Sequence, residues 1–136
     1  MRLAYPVDLT PDGQGGVIAR APDVPSALTL GRDEAAALHW MQDALLVALS
    51  GLMDHGLEVP RPSACKPGQR LVELPQRLCL KLGLYQAMRA RGLSHSELAA
   101  CLACDAEQVR CLLDLDHETE LEQVQAALAA VEDSAR

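Results

Sequence analysis

Gly92-Leu93-Ser94-His95-Ser96-Glu97-Leu98-Ala99-Ala100-Cys101-Leu102-Ala103-Cys104-Asp105-Ala106-Glu107-Gln108-Val109-Arg110-Cys111-Leu112-Leu113-Asp114 carries two helix starts about one helix apart. Ser94 with Glu97 is a capping box, in which the hydroxyl takes the N3 amide and the carboxylate reaches back to the cap amide. Asp105 with Gln108 repeats the arrangement. Leu98 and Leu102 then share one helical face, and Val109, Leu112 and Leu113 share the next. Two short amphipathic helices joined by so tight a turn predict a helix-turn-helix.

Working outward, Pro75 suits the first position of a helix that runs through Leu78, Leu82, Tyr85 and Met88. Gly92 can close it. A final helix is expected from near Thr119, with Leu121, Val124, Leu128 and Val131 on one face. Toward the N-terminus the period changes. Leu3, Tyr5, Val7 and Leu9 alternate as in a strand, and Pro6 places that strand at an edge or on a non-bonded side. Thr10–Gly16 is dense in turn residues, so a hairpin to Val17–Ala21 follows. Pro22-Asp23-Val24-Pro25 breaks that second strand, and Ala27–Leu30 reads as a third. Asp33 caps a long helix with Leu38, Met41, Leu45, Ala48 or Leu49, and Leu52 in its stripe, widened by Leu46 and Val47. Gly56 ends it. Pro60, Pro62, Pro67 and Gly68 have linker composition, and Leu71–Leu74 is a possible last strand. The organisation is α+β: a small βββα(β) unit, a Pro-rich joint and a four-helix unit.

The chain has 136 residues, room for one ordinary domain or two small ones. With no Phe, one Trp and two Tyr, the core must be aliphatic. So few aromatics also argue against a single-strand nucleic-acid reader, which needs stacking platforms. Net charge is −7; residues 81–136 hold five cations against ten anions. That balance suits a basic protein partner and works against phosphate contacts. Met1–Pro6 meets Asp8 before any signal-like apolar run develops, and the run Ala44–Leu49 is too short to span a bilayer. A cytoplasmic chain with no membrane contact is expected.

Tyr5-Pro6-Val7, the Gly15-Gly16 hairpin, Ala21–Pro25, the strand and Ala-rich helix after it, and Pro60-x-Pro62-Ser63 resemble the N-terminal domain of HicB antitoxins, a type II toxin–antitoxin family. Leu84–Arg89 and Gln108–His117 resemble the helix-turn-helix tail of the same family. The resemblance implies a degenerate ribonuclease-H-like βββαβ domain over residues 1–58 and a linker with a possible final strand over 59–74. Over 75–136 it implies an all-α helix-turn-helix domain for DNA binding and oligomerisation. It also implies partners: a small basic mRNA-cleaving toxin of the HicA kind, operator DNA of the chain's own promoter, and further copies of the chain as a dimer or higher oligomer. The alternative is a stand-alone helix-turn-helix transcription regulator with an N-terminal sensing or oligomerisation domain.

The chemistry-bearing residues divide accordingly. A working ribonuclease-H site needs clustered carboxylates to hold metal ions. Asp8, Asp12 and Asp23 are the candidates; Asp12 and Asp23 sit in turn contexts that favour Asp anyway, and Asp8 lacks a partner at strand spacing. No catalytic residues, metal or cofactor are therefore expected. Tyr5, Asp8, Asp12 and Asp23 become candidate toxin contacts instead. On the DNA side, Val109 and Leu112 face the core, which leaves Ala106, Glu107, Gln108, Arg110 and Cys111 for the groove. Gln can read adenine, Glu can accept from cytosine, and Arg can take phosphate or guanine. His95, second in the first capped helix, is either a phosphate contact or a solvated helix-start residue. Relatives carry more Lys and Arg here; Cys101 and Cys111 stand where Arg is common, so weak half-sites combined in a dimer are expected. Cys101-x-x-Cys104 invites a zinc site, but no second pair matches it, and Cys104 falls where such a turn buries a small apolar residue.

Overall fold

A computed structural model describes residues 3–133. Its elements are β1 (Ala4–Pro11), β2 (Val17–Arg20), β3 (Leu28–Gly31), α1 (Glu34–Asp54), β4 (Arg70–Glu73), α2 (Gln76–Arg91), α3 (His95–Leu102), α4 (Ala106–Leu113) and α5 (Leu121–Asp133). The chain divides between Leu74 and Pro75 into two compact units.

In the first unit the order is βββαβ, and the sheet is antiparallel with strand order β3-β2-β1-β4. The hairpin between β1 and β2 is built by Asp12. Its carboxylate accepts from the amides of Gln14 at 2.7 Å and Gly16 at 2.8 Å, the local bonding that makes Asp a turn residue. β1 is a central strand, not an edge. Pro6 is tolerated because the neighbours are staggered: β2 pairs with residues 8–11 and β4 with residues 4–7, so Pro6 faces a ladder partner on one side only.

Strand alternation sets the two faces of the sheet. Tyr5, Val7, Ala19 and Val72 are buried on the face that α1 covers. α1 starts at the Asp33 cap, whose carboxylate accepts the Ala36 amide at 2.8 Å. It buries Ala37, Met41, Leu45, Ala48 and Leu49. At Gly31 the helix crosses so closely that a Cβ would lie 2.3 Å from the Ala37 nitrogen, so only glycine fits. By length and composition α1 could cross a membrane, which the short run Ala44–Leu49 alone did not suggest; one of its faces is occupied by the sheet. The widened stripe is only partly covered within the unit: Leu46 is half-buried and Val47 is 68% exposed.

The Pro-rich segment belongs to this unit. Tyr5 Oη donates to the Pro60 carbonyl at 2.7 Å, Ser63 Oγ to Asp23 at 2.6 Å, and Gln69 Nε2 to Asp8 at 2.9 Å. Val59 is buried as well.

In the second unit α2, α3, α4 and α5 enclose an aliphatic core of Leu80, Leu84, Met88, Leu98, Val109, Leu112, Val124, Ala127 and Val131. Pro75 is the N-cap of α2, one position before the predicted place. Gly92 ends that helix at φ 66, the left-handed conformation glycine adopts without a Cβ clash. α5 begins at Leu121 rather than near Thr119. Thr119 is buried, and its hydroxyl donates to the Cys111 carbonyl at 3.1 Å.

Candidate functional sites

α3 and α4 are joined by a three-residue turn, Ala103–Asp105. The capping box forms: Ser94 Oγ accepts the Glu97 amide at 3.1 Å, and the Ser94 amide donates to Glu97 Oε1 at 3.3 Å. At Asp105 the cap itself forms, its carboxylate accepting the Gln108 amide at 2.8 Å. Ala103 closes α3 in the left-handed region at φ 52, and the Cys104 amide returns to the Ala99 carbonyl at 3.0 Å. That is the backbone closure glycine normally supplies, held here by an alanine.

Leu98, Val109 and Leu112 turn inward, so His95, Ala106, Glu107, Gln108 and Arg110 are left exposed. Arg110 is already engaged. Its guanidinium donates to both Glu107 oxygens, through Nε at 3.2 Å and through Nη2, and lies 3.9 Å from Asp114. That hydrogen bond and charge hold the Glu107 carboxyl below the usual carboxylate range and raise Arg110 in return. Cys111, the remaining residue of the expected groove-facing set, is less exposed than these. It is half-buried and lines a cleft with Cys101, Cys104, Glu107, Gln108 and α5 residues.

Sequence reasoning missed Lys81. It is fully buried, and its ammonium donates to the carbonyls of Cys111 at 2.9 Å, Asp114 at 2.6 Å and His117 at 2.7 Å. An ammonium has three donors, and all three are used. The C-terminus of α4 is where carbonyls lack intrahelical partners and where a cation is favoured. The residue thus fixes the end of α4 and the loop to α5. A signal was present: Lys81 interrupts the apolar run Leu78–Leu84 on the buried side of α2.

In the first unit Asp8, Asp12 and Asp23 are partly exposed, but each carboxylate accepts bonds from its own unit. Tyr5 is corrected as a partner contact. It is fully buried, with its hydroxyl on Pro60, because the inward alternation of β1 puts it under α1. What composition could not place is the exposed apolar surface: Leu28 at 52%, Leu30 at 58% and Trp40 at 51%. Leu30, His39 and Trp40 border one depression beside β3, an edge strand of the sheet.

The family model of the HicB-like antitoxin of bacterial toxin–antitoxin systems matches residues 4–83. This chain belongs to the HicB-like antitoxin family. It is 31% identical over 129 residues to Antitoxin HicB of Escherichia coli, covering 95% of this chain and 94% of that one. It is 32% identical over 129 residues to Antitoxin HicB 2 of Photorhabdus laumondii, covering 95% and 91%. Antitoxin HicB of Pseudomonas fluorescens is 30% identical over 115 residues, covering 84% and 79%. The match to the HicB-like family model ends inside α2, whereas the similarity to the HicB relatives extends through most of the second unit.

Proposed function

We propose that this HicB-like antitoxin neutralises a small, basic, mRNA-cleaving toxin of the HicA kind and represses its own operon. The observation that carries the reading is the similarity to HicB antitoxins along 95% of the chain, both units included. The first unit, a βββαβ arrangement read as a degenerate ribonuclease-H-like fold, acts by occlusion and not by catalysis. Its exposed edge strand β3, with Leu28, Leu30 and Trp40 beside it, supplies apolar anchor area of the kind that dominates protein interfaces. The acidic balance of the chain, net −7, with Asp8, Asp12 and Asp23 among the partly exposed carboxylates of this unit, favours encounter with a basic partner. The second unit works as a helix-turn-helix, with α4 as the recognition helix. Ala106, Glu107, Gln108 and Arg110 face the bases and His95 a phosphate. Because α4 carries one cation, and that cation is shared with Glu107, affinity depends on pairing two copies on one operator. The chain works in the cytoplasm, where its target RNA and promoter are.

The test separates the two units. Trp40→Ala with Leu30→Lys abolishes growth rescue on co-expression with the toxin and leaves operator binding unchanged. Gln108→Ala with Arg110→Ala does the reverse. Equal loss of both activities in either variant overturns the two-module reading.

A further inference from the structure

β3 is an edge strand that its own sequence does not blunt. Soluble proteins usually guard a sheet edge with Lys, Pro or a bulge, and Leu28-Thr29-Leu30-Gly31 holds no charge and no proline. The register shows how it faces. Thr29 pairs with Ala19, which is buried under α1, so Leu28 and Leu30 lie on the opposite, open face of the sheet, 52% and 58% exposed. The main chain alternates as well. The Ala21 amide donates to the Ala27 carbonyl at 3.2 Å, which puts Ala27, Thr29 and Gly31 in the phase that bonds β2. The amides and carbonyls of Leu28 and Leu30 therefore point to the open side of the edge. The depression bordered by Leu30, His39 and Trp40 leaves room beside the strand.

We propose that two copies of this chain pair antiparallel through β3 about a two-fold axis at Thr29, continuing one four-stranded sheet into the next. The strand is self-complementary about that residue, as a two-fold interface requires. Residues directly opposite each other in an antiparallel pair share a face. The axis sets Leu28 of each copy opposite Leu30 of the other, so the exposed leucines cover one another. Both pairs use the outward-pointing groups, and each exchanges two main-chain bonds, roughly four in all. An axis at Leu30 would instead set Leu28 against Arg32 of the second copy. The charges agree with Thr29. Arg20 stands one strand back from the junction, in register with Asp8 of its own sheet, and the row beside it holds Ile18 and Thr10. The junction is therefore uncharged, and an identical uncharged strand matches it. Under the toxin reading given above, on which this consequence alone rests, self-pairing and toxin binding compete for β3.

Thr29→Cys puts a thiol on the axis, with its twin about 4.5 Å away between Cα atoms, inside the disulfide range of about 4.4–6.8 Å. The full chain carrying it is oxidised with copper phenanthroline, and peptide mass spectrometry follows the cross-link between the two position-29 thiols. Ser26→Cys, exposed and three residues from the axis, is the control for random collision. The link at position 29 is expected to form about tenfold faster than that at position 26, because pairing holds the first two thiols together. Adding Leu28→Lys and Leu30→Lys, at exposed positions, sets like charges opposite each other and is expected to bring the link at position 29 down to the control rate. Equal rates at the two positions, or a link at position 29 that survives the two lysines, overturns the proposal. Association through the second unit does not join these thiols, and no toxin is present, so a failure of the toxin reading leaves this result interpretable.

Discussion

The two units of this chain solve their polar bookkeeping in opposite ways. In the first, carboxylates collect donors at the surface: Asp12 holds a hairpin, Asp23 holds Ser63, and Asp8 holds Gln69. In the second, one buried cation collects carbonyls, with Lys81 bonding Cys111, Asp114 and His117. Burial makes the difference. An exposed bond exchanges with water and contributes little, whereas a buried group left without its partner costs its full desolvation. The first unit can therefore lose a tether and keep its fold. The second concentrates its order in one side chain of α2.

The sharpest way to break this comparison is Lys81→Met. It strands three carbonyls at the end of α4 and is expected to destabilise the second unit by about 3 kcal/mol or more, read by denaturant unfolding. Burial lowers the Lys81 pKa from its ordinary 10.5, opposed by Asp114. The folded form then binds fewer protons than the unfolded form between the lowered value and 10.5, so the burial cost is full below that window and fades as pH rises through it. The variant should lack this rise in stability. If the variant's midpoint matches the parent's, Lys81 is not the anchor. Gly31→Ala comes next. Its Cβ would meet the Ala37 backbone, and the first unit should lose about 2 kcal/mol, with α1 shifted in hydrogen exchange.

Asp23→Ala removes two exposed bonds to Ser63 and is expected to cost about 1 kcal/mol, with the fold retained. A loss as large as that of Lys81→Met would erase the contrast between the units. Glu107→Gln should leave stability nearly unchanged and free the Arg110 guanidinium. Under the proposed DNA-binding reading, operator affinity is then expected to rise severalfold and to depend more steeply on salt, because one carboxylate leaves the face of α4 and one guanidinium is freed toward the DNA. An unchanged salt slope would show that Arg110 does not contact DNA.

Much of the fold was legible from local chemistry. Ser94, Asp33 and Asp105 announced their helices because a side-chain oxygen three residues before an orphan amide acts over a few ångströms of its own chain. Leu3, Tyr5, Val7 and Leu9 announced a strand by alternation alone, and β1 spans Ala4–Pro11. Other features needed partners distant in sequence. Pro6 suggested an edge strand, and only the stagger of β2 and β4 about β1 shows how a central strand admits it. The Pro-rich segment looked like a joint because composition does not reveal that Tyr5, Asp23 and Asp8 bond to it across the unit. Tyr5 reads as a partner contact in the sequence, and only its burial in the folded unit shows it to be core. The exposed side of α4, with Ala106, Glu107, Gln108 and Arg110, was legible from helical period, but the period says nothing of the Glu107 clasp on Arg110 or of the cleft that takes in Cys111.

What the sequence by itself determined is the set of elements: caps, turns and periodicities are written within a few residues of where they act. It also determined the family, through motifs spread in order along the chain. The tertiary structure decided which polar groups are buried and with whom. A lysine in an apolar helix is unremarkable until folding brings three carbonyls from thirty or more residues away onto its ammonium. Three cysteines are only a composition until α3, α4 and α5 close one cleft around them. Helix starts follow from local hydrogen bonding; sites follow from which surfaces burial leaves open.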